Sequence, residues 1–265
     1  MQSSHPDKPK VTITPYPETA DWDWPEESQK EWRELVGKGE EYVAFYRYWS
    51  SSGARSNFSD TFPYKLSLGG GSSISPGGKP ILVTDAYDKM LHRLSRLREN
   101  DRKGGRIKGA VITGQPGIGA SLTRSPLHTA TYWWIRSPGK TTFQKFMLAQ
   151  LISTQEVVLL CDSYKILLFF RGRVYHRSTN SGFDFLPTPP ITLYYPIWAL
   201  VDVGLRQEPP ITESSYIWPV QTSSPNPIRW RDWSKHNKAA LLGMPLWSME
   251  ELSEGYVFAC SPPRC

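Results

Sequence analysis

Two fragments of one glycine-rich pattern lie 20 residues apart in this chain. The first is Gly114-Gln115-Pro116-Gly117-Ile118-Gly119, and the second is Gly139-Lys140-Thr141-Thr142. With Ala120–Gly139 removed, the chain reads VITGQPGIGKTTF, which is G-x-x-x-x-G-K-[ST] between an apolar run and a helical pattern. Each residue type has a chemical reason to be there. Gly114, Gly117 and Gly119 let successive backbone N–H groups turn inward around phosphate oxygens. The helix that follows adds the partial positive charge of its N-terminus. Lys140 reaches the β and γ phosphates, Thr141 offers its hydroxyl to Mg²⁺, and Thr142 completes the nucleotide-binding set. The implied ligand is a nucleotide carrying β and γ phosphates, with Mg²⁺.

The interruption breaks the geometry this chemistry needs, because the cradle requires Gly119 and Lys140 to be neighbours. The segment ASLTRSPLHTATYWWIRSPG has neither helical nor strand period, and a loop of that length inside a compact motif argues against itself. Its ends admit a coding explanation. Gly119-Ala120 can be written with a GT donor inside the glycine codon, and Pro138-Gly139 with an AG acceptor. Splicing between them restores one glycine codon in frame. The segment therefore reads as a translated short intron. A genuine loop insertion that abolishes nucleotide binding is the second reading, and a chance glycine turn is the third.

The elements that must position these residues are legible on either side. Ile107–Gly114 is a nearly continuous apolar run ending in glycine, as in a buried parallel strand. Phe143, Phe146, Met147 and Leu151 share one helical face. EVVLLCD (156–162) and YYPIWALVDV (194–203) are further buried runs with an acid, Asp162 or Asp202, near the end. Asp162 is read as a plain strand terminator. KILLFFRGRVYHR (165–177) predicts two strands about a tight Arg-Gly turn. Upstream, Thr84 is a candidate N-cap, Asp85 and Asp88 occupy the first turn, and Tyr87, Met90, Leu91, Leu94 and Leu97 follow helical spacing. Trp32, Leu35, Tyr42 and Phe45 are expected to face one core. The order strand, glycine turn, helix, strand, then a strand with a terminal acid is α/β.

The chain has 265 residues, enough for one large domain with appendages. Residues 1–25 read as a polar, proline-rich tail, 26–80 as a helical and linker region ending in the flexible SLGGGSSISPGGKP, 81–252 as the main domain, and 253–265 as a second tail. Five scattered histidines and three cysteines form no zinc spacing, and the sparse odd cysteine count suits a reducing, intracellular compartment, cytoplasmic or nuclear. The N-terminus has no secretory h-region, and no apolar run reaches membrane-spanning length. The net charge of +6 fits a mildly basic protein. Lys and Arg are dense over 89–108, and that basicity is the ground for a nucleic-acid footprint there. Trp230, Trp233 and Trp247 are read as core or partner surface, with base stacking the minor option.

These stretches, with FPYKLSLGGGSSISPGGKPILVTDAYDKMLHRL and TSSPNPIRWRDWSKHNKAALLGMPLWSMEEL, together resemble the P-loop NTPase domains of Crinkler and RHS (retrotransposon hot spot) type proteins, in the form expanded in mushroom-forming fungi. The resemblance covers about residues 60–252 apart from the insert. It implies a P-loop NTPase-like (AAA/STAND-type) three-layer sandwich with a mostly parallel central sheet. It implies that Asp202 is the Walker B acid holding Mg²⁺, and that Ser223 or Ser224 senses the γ-phosphate. It implies a regulatory domain serving a separate effector. The chain departs from the family in its split loop and in Val203-Gly204 where a water-activating glutamate commonly follows the acid. It also ends in SEGYVFACSPPRC without a lid or effector, so C-terminal truncation is expected. Nucleotide binding is therefore expected over turnover, with a non-catalytic interaction module or degenerate gene copy as the alternative.

Overall fold

A computed structural model describes residues 32–37, 40–69, 80–114, 140–162, 165–178, 196–202, 217–224, 226–245, 248, 251 and 253. The elements in chain order are β1 (Arg33–Glu34), α1 (Glu41–Ser50), β2 (Tyr64–Leu66), β3 (Ile81–Val83), α2 (Asp85–Arg102), β4 (Gly109–Thr113), α3 (Lys140–Ser153), β5 (Val158–Asp162), β6 (Lys165–Phe170), β7 (Arg173–Ser178), β8 (Ile197–Asp202), β9 (Ile217–Ser223), α4 (Arg231–His236) and β10 (Ala239–Gly243). Short 3₁₀ turns at Ala54–Asn57 and Pro227–Arg229 complete them. Among the described residues no helix is long and apolar enough to cross a membrane.

Eight strands form one sheet in the order β1-β7-β6-β5-β8-β9-β4-β10. The five strands from β5 to β10 along this row are parallel. β6, β7 and β1 add an antiparallel flank beyond β5. β2 and β3 make a separate antiparallel pair. The expected α/β class and the large, mostly parallel sheet are present, and β4, β5 and β8 occupy the runs predicted for them.

The continuous apolar runs are explained by burial on both faces. Ala110, Val111 and Ile112 of β4 are fully buried, as are Ile197, Ala199 and Leu200 of β8. Alternate residues feed two apolar layers. One contains Ala110, Ile112, Val158, Trp198, Leu200, Trp218 and Val220 with the inward faces of α1, α2 and α3. The other contains Leu159, Cys161, Ala199, Val201, Ile166 and Leu168. Burying side chains of this size contributes about 1.5–3 kcal/mol each before conformational entropy is charged against it.

α3 shows why one face predicted from periodicity was too few. Phe143, Phe146, Met147 and Leu151 are buried as expected, but so are Leu148, Ala149 and Ile152. α3 lies on β5, β8 and β9 while α1, α2 and the 3₁₀ turn at Ala54–Asn57 cover its outer side. A helix enclosed on both sides is apolar all round.

Three local expectations are modified. Thr84 does precede α2, yet its side chain makes no capping bond, and its buried Oγ1 has no hydrogen-bond partner among the described residues. Trp32 does not join Leu35, Tyr42 and Phe45. Residues 33–34 are a strand paired to Tyr175 and His176, and the twofold alternation of that strand sends Trp32 to the second layer. Strands β9 and β10 were not foreseen at all. The Arg-Gly turn behaves as read: Arg171 and Gly172 both have positive φ (43° and 78°), the pairing of a type I′ hairpin.

Candidate functional site

Parallel strands present all their C-terminal ends at one edge of the sheet, and the chemistry-bearing residues collect there. β4 ends at Thr113, level with Ser223 of β9 and with Gly243 of β10. The Met244 N–H donates to the Thr113 carbonyl at 2.7 Å, tying the exit of β10 to the exit of β4. Asp202 ends β8, level with Asp162 of β5 and one residue past Val201, which faces Gln221 of β9. α3 opens at Lys140 on the return from β4, so its positive helix end lies on this edge.

Gly114 closes β4 and is half-buried. Gly117 and Gly119 fall outside the described residues, as does the whole of 120–139. Lys140 and Thr141 are the first two residues of α3, and only their backbone is described. Thr142 is buried, and its side chain hydrogen-bonds to the Tyr87 phenol of α2. Burial and the Glu251 carboxylate push that phenol well above the ordinary tyrosine range, with the Thr142 bond opposing them. Thr142 thus anchors the first turn of α3 to α2.

Asp202 is half-buried at its strand end. Lys145, one turn into α3 and also half-buried, is the cation that senses it. Burial lowers the Lys145 ammonium below the ordinary lysine range, and the Asp202 charge partly offsets this. Periodicity could not have found Lys145, since it stands among residues that read only as core face.

The end of β9 is unusually polar for a central strand. Gln221, Thr222 and Ser223 are all buried. Thr222 alternates with Trp218 and Val220, so it lies on the face that α3 covers, and Ser223 lies on the other. Among the described residues the buried hydroxyl oxygens of Thr222 and Ser224 have no hydrogen-bond partner, and neither does Nε2 of Gln144 in α3. Polar atoms buried without partners cost free energy, and a polar ligand at this edge would satisfy them. Thr222 escaped the sequence reading because no strand was assigned to 217–223, so the side of the sheet it faces could not be read; Gln144 escaped it because it stands beside Phe143 in a helix read only for its core face.

Beyond β10, Ser248 and Glu251 cap one another. The Ser248 N–H donates to the Glu251 carboxylate at 2.8 Å, and the Glu251 N–H donates to the Ser248 hydroxyl at 3.2 Å. They border an open cleft of about 340 Å³ with Asp85, Ala86, Lys89 and Pro245. A larger cleft of about 470 Å³ lies at the opposite end of α2, away from the acid and the opening of α3. Trp233 of α4 is buried and Trp230 half-buried, whereas Trp247 is outside the described residues.

Among the described residues no group of three or more His, Cys, Asp or Glu side chains could hold a metal ion unaided. One acid and one hydroxyl are nonetheless what Mg²⁺ uses when substrate phosphates and water supply the rest of its shell. The edge therefore offers an acid, a lysine, hydroxyls and a helix N-terminus around the exit of β4. That set suits binding of a phosphorylated ligand. No family model matches the chain, and no match to it was found among curated proteins or solved structures.

Proposed function

We propose that this chain is a nucleotide-binding domain of the P-loop NTPase-like, additional-strand kind, akin to the Crinkler and RHS type, with a regulatory role. The observation that carries the reading is the strand order. β9 stands between β4, the strand leading into the glycine turn, and β8, the strand ending in Asp202. This is the additional strand that such folds place between the Walker A and Walker B strands. β10 and β5 then flank the set on either side.

In this reading the backbone of Gly114, Gly117 and Gly119 and the N-terminus of α3 cradle the phosphates of ATP. Lys140 and Thr142 belong to the same turn. Thr141 and Asp202 hold Mg²⁺, which neutralises charge between the terminal phosphates. Ser223 and Ser224 were the expected sensors. The orphaned hydroxyls favour Ser224 and add Thr222, on the side of α3. Turnover is a weaker part of the proposal, because Val203 follows Asp202.

The 20-residue interruption favours a second reading for the chain as it stands, a non-catalytic interaction module that keeps the fold. Nucleotide titration of three proteins separates the two: the full chain, the chain lacking 120–139, and that deletion carrying Lys140→Ala. The first reading expects the deletion to bind at least about tenfold more tightly than the full chain, a gain of about 1.4 kcal/mol, and Lys140→Ala to abolish the gain. Equal binding by the full chain and the deletion would make the segment a tolerated loop. No binding by either would leave the interaction module.

A further inference from the structure

The chain's net charge is not spread over its surface. Residues 93–108 carry seven Lys and Arg against two carboxylates, so five of the six net positive charges fall within sixteen residues. α2 ends at Arg102 and β4 begins at Gly109, which puts Arg102, Lys103, Arg106 and Lys108 at the sheet edge opposite the candidate nucleotide site. The end of α4 lies at the same edge, because β10 starts level with β4: Ala239 pairs with Gly109. The Lys108 N–H donates to the Lys238 carbonyl at 3.1 Å, so the two loops touch.

Six exposed cations result: Arg102, Lys103, Arg106, Lys108, Lys235 and Lys238. Local carboxylates leave most of this charge uncompensated. Glu99 is shared between Arg102 at 3.2 Å and Lys103 at 3.4 Å. Asp101 is buried and bridges Lys108. Helix dipoles account for cations in the last turns of α2 and α4, but Arg106, Lys108 and Lys238 lie past the helix ends, where that effect has faded. Lys103 and Arg106 border the 470 Å³ cleft with Asn100, Gly104 and Gly105.

We infer that this edge binds the sugar-phosphate backbone of a nucleic acid, independently of the nucleotide site. A stripe of like charge drawn from two loops follows a repeating polyanion better than a single phosphate. Arg and Lys side chains beside the Asn100 amide are the donors that phosphate oxygens take. A lipid surface fits less well. The large exposed apolar side chains among the described residues are Val36, Tyr48, Ile228 and Leu241, and none belongs to either loop.

The test is fluorescence anisotropy of the full chain with a labelled 20-base-pair DNA duplex and with a single-stranded RNA of that length, across salt concentration. With four to six phosphate contacts the slope of log K against log salt is about −4 to −5 on the duplex. Replacing Lys103, Arg106 and Lys235 by Ser and Lys238 by Asn should weaken binding at least about tenfold and flatten the slope by about 3. A control of equal charge change elsewhere, with Arg47, Lys65 and Arg173 replaced by Ser and Arg171 by Asn, should stay within about threefold. Circular dichroism checks both sets. If the fourfold variant does not fold, Arg106→Ser with Lys235→Ser carries the test, with a slope change of about 2. The duplex and RNA arms tell which nucleic acid is preferred, and binding of either supports the inference. Three results overturn it: no binding at low salt, equal weakening in both variant sets, or polyglutamate or phosphatidylserine vesicles bound as tightly as the nucleic acids.

Discussion

Arg98 shows how much one side chain can hold together here. Its guanidinium donates to both Glu156 oxygens at 3.1 and 3.2 Å, and its Nε donates to the Pro196 carbonyl at 2.9 Å. Its carbon centre lies 4.7 Å from the Trp198 ring centroid, and Trp198 meets Trp218 edge-on at 5.2 Å. One residue thereby ties α2 to the segment before β5 and to the start of β8. Arg98→Ala should destabilise the fold by about 3–5 kcal/mol, because the buried Glu156 carboxylate loses both of its guanidinium bonds. Arg102→Ala, which breaks the exposed pair with Glu99, should cost about 1 kcal/mol or less. Urea denaturation of the two variants checks the contrast, and equal losses would refute it. In the sequence Arg98 is one of many cations in the dense Lys and Arg stretch over 89–108. Its partner is 58 residues away, and no local pattern encodes that distance.

Among the elements, β4, β5 and β8 were legible because strands buried on both faces must be continuously apolar. β9 was not, because IWPVQTS carries a proline in mid-strand and a polar end, both of which argue against a central strand. The structure accommodates the proline at the mouth of its neighbour. Gly109 sits beside Pro219, and a Cβ added there would come within 2.8 Å of the Pro219 carbonyl oxygen and 2.9 Å of its ring. Laddering between β4 and β9 starts just after, at Ala110 and Val220. Gly109→Ala should therefore cost about 1–3 kcal/mol through overpacking against backbone that has little room to move. Gly53→Ala, where an added Cβ meets nothing within 4 Å, should be neutral or slightly stabilising. Thermal unfolding distinguishes the two, and a neutral Gly109→Ala would contradict the packing argument. The polar end of β9 has the same lesson. A buried Gln-Thr-Ser run makes little sense as core, but it fits the edge of a site.

Across the whole molecule the two ends of the parallel strands differ in character. One edge gathers Asp202, Lys145, the β9 hydroxyls and the opening of α3, and the other gathers surplus cations from the ends of α2 and α4. The sequence announced the first edge through the two halves of its glycine motif and through Asp202. It could not show the order in which the strands lie along that edge, with β9 between β4 and β8. The central claim is that this edge is a Mg²⁺-nucleotide site whose acid is Asp202. Calorimetric titration of the chain lacking 120–139 with ATP, with and without Mg²⁺, tests it directly when repeated on Asp202→Asn. Asp202→Asn should remove at least about tenfold of affinity with Mg²⁺ present, about 1.4 kcal/mol, and leave the metal-free affinity within about threefold. Equal affinities for the two proteins with Mg²⁺ present, or no ATP binding by the deletion at all, would contradict it.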